Sequence, residues 1–276
     1  MAWFVSILYG FLTGLGELLP VSAGAHDFFL QLMTSFDPQQ PLLRLCIHLA
    51  TFCALGIMCR HRAFHIYREL HIASQPSRRR KRQPDLVAVL DGKVLMTMLV
   101  PAAIGLLLTR WVQSRFDGLL MTVVLLLLSG TVIYVPHFLP GANRDSRHLS
   151  RLEAIWFGIC AGLSAFPGVS RMGGVLSAGA QRGCSRSYML DLVFLLLLPL
   201  LAAMVVMDLF AMISVGLSAV TFVYLLQCIL AGGAAFGGAC LAIGAMRFLS
   251  VNMGYTLFAY YNWGLGIFGF ILYLML

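Results

Sequence analysis

The chain is short of charge. Only 11% of its 276 residues are Asp, Glu, Lys or Arg, where a soluble globule carries about 25%. That shortage excludes an ordinary water-soluble domain. Seven cysteines (46, 53, 59, 160, 184, 228 and 240) have no metal-like spacing, and most sit in apolar stretches. They read as small buried hydrophobes, so neither a disulfide framework nor a metal cluster is expected. The opening residues MAWFVSILYG lack a basic n-region and a convincing cleavage site, so no cleaved leader is expected. What the chain has instead is 60% hydrophobic residues. It reads as an all-α integral membrane protein forming one transmembrane domain over 1–276.

Six apolar runs, roughly 42–59, 92–110, 118–138, 189–212, 217–245 and 252–276, each approach the ~20 residues that cross the hydrocarbon. Two further stretches, about 3–34 and 152–187, are broken in the middle by Pro and Gly. These read as re-entrant helical hairpins, whose irregular tips are tolerated at depth only where protein and water surround them. Hairpin plus three spans then occurs twice, about 1–140 and 150–276. Because three is odd, the second unit must be inverted. The formal charge of +8 supports this arrangement. Arg60 to Arg82 holds eight of the nineteen Lys and Arg residues. A basic run can bind nucleic acid, but between two spans it marks a cytoplasmic 60–91 loop, and no nucleic-acid partner is expected. With that loop inside, Arg144, Arg147, Arg151, Arg182, Arg186 and Arg247 fall inside too, and only Arg44, Arg110 and Arg115 fall outside.

The two broken stretches contain related sequences. Residues 13–24 read TGLGELLPVSAG and residues 161–173 read AGLSAFPGVSRMG. At an offset of 148, Gly14 falls on Gly162, Leu15 on Leu163, Val21 on Val169 and Ser22 on Ser170. Broken helices at matching places in two halves point to a site near the bilayer midplane. Each copy carries groups that are costly to bury: Glu17 and His26 in the first, Arg171 in the second. Thr13 and Glu17, four residues apart, share a helix face. A helix starting near His26 would aim N–H groups at an anion such as phosphate, while His26 and Asp27 could equally be caps; for Asp27 the cap is favoured. Arg171 offers a planar fork for phosphate oxygens, and Gly168, Gly173 and Gly174 allow backbone amides to approach. The plain alternative is an Arg171–Glu17 ion pair with no ligand. His48 reads as a satisfied interior histidine, and Asp191 and Asp208 as residues near span ends. The small-residue tract Gly232–Gly238 reads as close helix packing. Tyr255, Tyr260, Tyr261 and Trp263 suit an interfacial belt or a site wall.

At these residues the chain resembles the undecaprenyl-pyrophosphate phosphatase family of bacterial membrane proteins, the bacitracin-resistance type. GLGELLPVSAGAH is similar to the family's GLTEFLPVSSTGH, and PGVSRMGG to its PGxSRSGAT. LLRLCIHLATFCALGIMCRHR, LVPAAIGLLL and GCSRSYMLDLVFLLLLPLLAA resemble family segments in the same order. The resemblance implies six spans and two re-entrant hairpins in inverted repeats. It implies removal of the terminal phosphate from undecaprenyl pyrophosphate at the outer side of the bacterial cytoplasmic (inner) membrane, which recycles the lipid carrier of peptidoglycan synthesis and confers bacitracin resistance. Mg2+ or Ca2+ is implied as cofactor. The expected partners are the polyprenyl pyrophosphate and the bilayer, with a homodimer as a further expectation.

Residue by residue, Glu17 matches the second Glu of the first motif, Ser22 its first Ser and His26 its terminal His. Ser170 and Arg171 match the SR of the second. Thr13, Ala23 and Gly24 stand where the family has Glu, Ser and Thr; Met172 and Val175 stand where it has Ser and Thr. The expected catalytic set is therefore His26, Glu17, Arg171 and Ser170. The expected substrate-binding set is Thr13, Ser22, Gly168, Arg171 and Gly173, with Glu17 as metal ligand. The nucleophile would be His26, Ser22, Ser170 or a water activated by His26 or Glu17, with His26 ranked first. The competing readings are a non-hydrolytic lipid-phosphate carrier on the same scaffold, suited to alternating access, and an accessory protein without ligand chemistry.

Overall fold

A computed structural model describes residues 2–34, 37–80, 82–116, 118–139, 143–215 and 220–275. Met1, positions 35 and 36, Lys81, Asp117, positions 140–142 ahead of the second broken stretch, positions 216–219, of which 217–219 open the expected fifth span, and Leu276 lie outside the described residues. Ten α-helices are found among the described residues: α1 Ala2–Gly16, α2 Ala23–Met33, α3 Pro41–Ser74, α4 Leu86–Arg115, α5 Leu119–Tyr134, α6 Arg151–Gly162, α7 Arg171–Gln181, α8 Arg186–Val215, α9 Phe222–Asn252 and α10 Thr256–Met275. Six of them (α3, α4, α5 with its 3-10 extension to Phe138, α8, α9 and α10) are long and apolar enough to cross a membrane. The two stretches interrupted by Pro and Gly become the helix pairs α1–α2 and α6–α7.

The expected 60–91 loop is a correction. α3 continues to Ser74 and α4 begins at Leu86, leaving a connection of 75–85. At about 1.5 Å per residue the 34 residues of α3 outrun a hydrocarbon layer of ~30 Å. Its basic end therefore carries Arg60, Arg62 and Arg68 on helix. Hydropathy registers only the apolar part of such a helix. The polar end is held by ion pairs: Arg62 meets Asp91 at 3.3 Å and also pairs with Asp191. The buried Glu69 accepts from Arg82, from Arg68 at 3.3 Å and from the Asp85 amide at 3.0 Å. Asp85 caps α4, accepting from the Val87 amide. A hydrogen bond from His65, and then that amide, hold its carboxyl below the usual carboxylate range.

α8 is the core. Leu190, Leu192, Val193, Phe194, Leu196, Leu197, Leu200 and Leu201 are all buried, as expected of a helix apolar on every side. α3, α4, α7 and α9 pack around it. Where helices approach most closely, glycine makes the contact. A Cβ on Gly10 or Gly14 of α1 would sit 2.2 Å from the carbonyl oxygen of Ala231 or Ala235 on α9. A Cβ on Gly158 of α6 would sit 2.3 Å from the Met98 oxygen on α4, and one on Gly162 would sit 2.8 Å from the Pro101 oxygen. Gly10 and Gly158 are separated by the same 148 residues as Gly14 and Gly162. With no hydrophobic drive between helices in lipid, close packing of this kind carries association. Gly14→Val should therefore lower stability by about 1–3 kcal/mol or more. Gly233→Val, at a position with open space around it, should be close to neutral. Thermal unfolding of both variants in detergent reads the difference.

Candidate functional site

Both breaks are preformed by serine caps. Ser22 is the N-cap of α2 and its Oγ accepts from the Ala25 amide at 3.3 Å. Ser170 is the N-cap of α7 and its Oγ accepts from the Gly173 amide at 3.1 Å. Each side chain satisfies an otherwise orphaned helix N–H. The Gly168 amide donates to Ser22 Oγ at 3.1 Å, so the two breaks are bonded to each other. Gly168 has φ 96°, and a Cβ there would meet the Thr122 oxygen at 2.5 Å, a conformation and a space that only glycine fits. Two long helices hold the breaks. Asn262 of α10 donates to the Pro20 oxygen at 3.1 Å, and Ser129 of α5 accepts from the Ser170 amide at 3.1 Å.

Glu17 follows directly on α1 and Arg171 opens α7, and they meet. Arg171 Nη1 lies 3.4 Å from Glu17 Oε2 and 3.9 Å from the Met204 sulfur, while Nε donates to Ser164 Oγ at 2.9 Å. Their side chains keep 16% and 10% exposure, enough to reach a ligand. Both line one cavity with Thr13, Asp27, His48 and Asp208, and Gln39, Arg44, Arg110 and Gln113 surround a mouth shared with a neighbouring depression.

Other expected site residues lie elsewhere. α2 begins at Ala23, not near His26, and its cap is Ser22, so the expectation that Asp27 caps the helix is corrected. Asp27 sits one turn into α2 and lines the cavity. His26 is absent from the cavity lining. Its Nδ1–H donates to the Ser22 carbonyl at 2.6 Å, which leaves Nε2 to accept from the Tyr261 hydroxyl at 2.6 Å. The two rings also stack. Ser22 and Ser170 are 1% and 0% exposed, and the Gly168 and Gly173 amides are spent on them. Gly173 faces a second cavity, beyond the tips, lined also by Pro20, Arg186 and Tyr255.

The sequence reading missed one group. His48 Nδ1 donates to Asp208 Oδ2 at 2.5 Å, and Arg44 Nε lies 3.5 Å from Asp208 Oδ1. His48 is indeed satisfied. Asp208, expected near a span end where solvation is cheap, is instead 3% exposed. The only signal available was an ionisable residue in each of two apolar spans; their pairing joins α3 to α8 and has no local signature.

For a divalent ion, the cavity offers oxygen donors: Glu17, Thr13 and the buried Oδ1 of Asp27, which has no hydrogen-bond partner. Such a set suits the hard cations Mg2+ and Ca2+. No cluster of three His, Cys, Asp or Glu is found among the described residues. Mg2+ does not need one, since it uses one or two carboxylates together with substrate phosphates and water.

Fold and site thus define a multi-pass membrane protein with an Arg–Glu pair at two helix breaks, lining a polar cavity. The family described as Bacitracin resistance protein BacA matches residues 6–268, and the chain belongs to it. It is similar to the undecaprenyl-diphosphatase of Streptococcus sanguinis (strain SK36), 28% identical over 271 residues, covering 95% of this chain and 93% of the relative. The undecaprenyl-diphosphatase of Desulforapulum autotrophicum is 27% identical over 279 residues, covering 97% of each chain. That of Alkaliphilus metalliredigens is 25% identical over 270 residues, covering 96% and 97%.

Proposed function

We propose that this protein is an undecaprenyl-diphosphate phosphatase of the bacterial cytoplasmic membrane, releasing the terminal phosphate and returning undecaprenyl phosphate to peptidoglycan synthesis. The observation that carries the reading is the meeting of Arg171 and Glu17 in one cavity, each supplied by a different helix break.

The chain forms a single transmembrane domain with α1–α2 and α6–α7 as re-entrant hairpins of two inverted units, about 1–140 and 150–276. Three observations support this. Arg144, ahead of α6, donates to the Arg182 oxygen beyond α7 at 2.6 Å and accepts from the Ser185 amide, so entry and exit of that pair lie together. α1 packs on α9 as α6 packs on α4, with glycines at the same offset. α3 pairs with α8 and α5 with α10, as corresponding elements would about a pseudo-twofold axis. The mouth carries Arg44 and Arg110, two of the few cations that the positive-inside pattern leaves outside, so the site opens outward.

In the reaction, Arg171 binds the terminal phosphate by exchanging its Glu17 contact for phosphate oxygens, while the N-termini of α2 and α7 favour the added negative charge. Glu17, once released, orients a water in line with the bridging bond and takes its proton. The water oxygen bonds to the terminal phosphorus, the bridging P–O bond breaks, and the lipid phosphate leaves with the electron pair. Ser22 and Ser170 hold the tips, and His26 fixes the start of α2 to α10 through Tyr261. A divalent ion held by Glu17 would neutralise charge on the phosphate oxygens.

The second cavity, beyond the same tips, favours the alternative of a lipid-phosphate carrier. Incubating the purified protein with undecaprenyl diphosphate and separating the lipids decides between them. Hydrolysis gives undecaprenyl phosphate in step with free phosphate. A carrier binds the diphosphate and returns it intact, and that result would sink the phosphatase reading.

A further inference from the structure

Asp27 has no role in the chemistry above, yet it lines the same cavity as Glu17, and unlike Asp208, the third carboxylate there, it is not paired with His48 and Arg44. Its Oδ1 is enclosed and has no hydrogen-bond partner. Tyr9, buried on α1, lines the same cavity as Asp27 and Thr13. A buried carboxylate oxygen without a partner is costly in an apolar bundle, and an acceptor-only group is completed by a cation or a donor. Arg44, Glu17 and His48 line the cavity with Asp27. Arg44 is already bonded to Gln39 and paired with Asp208, and His48 gives its Nδ1–H to Asp208. Neither supplies a donor to Oδ1. Glu17 adds a second negative charge to the same cavity wall.

We infer that Asp27 and Glu17 together bind a divalent cation of the Mg2+ or Ca2+ class, with Asp27 supplying the second anionic ligand from α2. The inference rests on the reading of this cavity as a diphosphate site. Two carboxylates from opposite sides of one helix break, plus phosphate oxygens, are the ligand set a hard, partly hydrated cation takes. Thr13, on the helix face of Glu17, supplies no anionic oxygen, and Asp27 takes that part.

The test uses Mn2+ alone as a paramagnetic probe, titrated into the reconstituted full-length protein without any lipid diphosphate. Asp27→Asn should weaken Mn2+ binding by about tenfold or more, because affinity follows the number of charged ligands. Thr13→Glu in the Asp27→Asn background should recover most of that affinity, since it returns a carboxylate beside Glu17. If Asp27→Asn alone fails to fold, the comparison is made within the Thr13→Glu background, where Asp27→Asn should again weaken Mn2+ binding about tenfold, and equal affinity of the two overturns the inference. Unchanged Mn2+ affinity in folded Asp27→Asn protein, or no Mn2+ binding by the unmodified protein, overturns the inference. The readout needs no turnover. Failure to release phosphate with Mn2+ binding intact would count against the phosphatase reading alone.

Discussion

Arg171→Ala will lower phosphate release from undecaprenyl diphosphate by about a thousandfold, and the loss will fall on kcat as well as on binding. The guanidinium is positioned before any ligand arrives: Ser164 takes Nε, and Glu17 and Met204 flank Nη1. Charge on the terminal phosphate oxygens rises as the bridging bond breaks, and a fixed cation stabilises that state without reorganising. Arg171→Lys keeps the charge but not the two-pronged fork, and Lys presents a more strongly hydrated point charge. It should recover only a small part of the rate. Because Arg171 is the first residue of α7 and its cap is the Ser170 side chain, neither substitution removes the cap. Thermal stability should change little. A large fall in stability with normal turnover per folded molecule would mean that Arg171 serves only packing.

Glu17→Gln separates the two meanings of the ion pair. If Glu17 were merely the counterion of Arg171, the amide would cost some stability and leave the rate of each folded molecule alone. In the proposed chemistry Glu17 is the base that takes the water proton. The isosteric amide should then cut kcat by about a hundredfold or more. The same change removes the carboxylate that competes for Arg171 Nη1. Binding of inorganic pyrophosphate in the absence of divalent ion should therefore become tighter. Loss of rate with gain of anion affinity is a combination that a structural salt bridge does not produce. Equilibrium binding and single-turnover kinetics on one preparation read both.

The parts legible in the sequence were those written locally. Six apolar runs matched six long helices because hydropathy sums over neighbours, and Pro20 and Gly168 marked the breaks because they cannot continue a helix. The Arg171–Glu17 contact was anticipated as the plain alternative, and the structure forms it. The polar end of α3 was read as loop because its stability comes from partners on other helices, such as Asp91 and Asp191 for Arg62. Asp27 was assigned a capping role because Asp is a common cap. The choice between Ser22 and Asp27 depends on a five-residue difference in where the helix starts, and the Ser22–Gly168 bond between the two breaks favours Ser22. His26 carried the motif resemblance, but its direction is fixed by Tyr261, 235 residues away. The His48–Asp208 pair, 160 residues apart, exists only once α3 and α8 are packed.

The most direct test of the account is a single turnover of undecaprenyl diphosphate by the purified protein in heavy-oxygen water, with both products analysed by mass. Attack of water on the terminal phosphorus predicts one heavy oxygen in the free phosphate and none in the undecaprenyl phosphate. Heavy oxygen in the lipid phosphate, or intact diphosphate after many equivalents of protein, would contradict it.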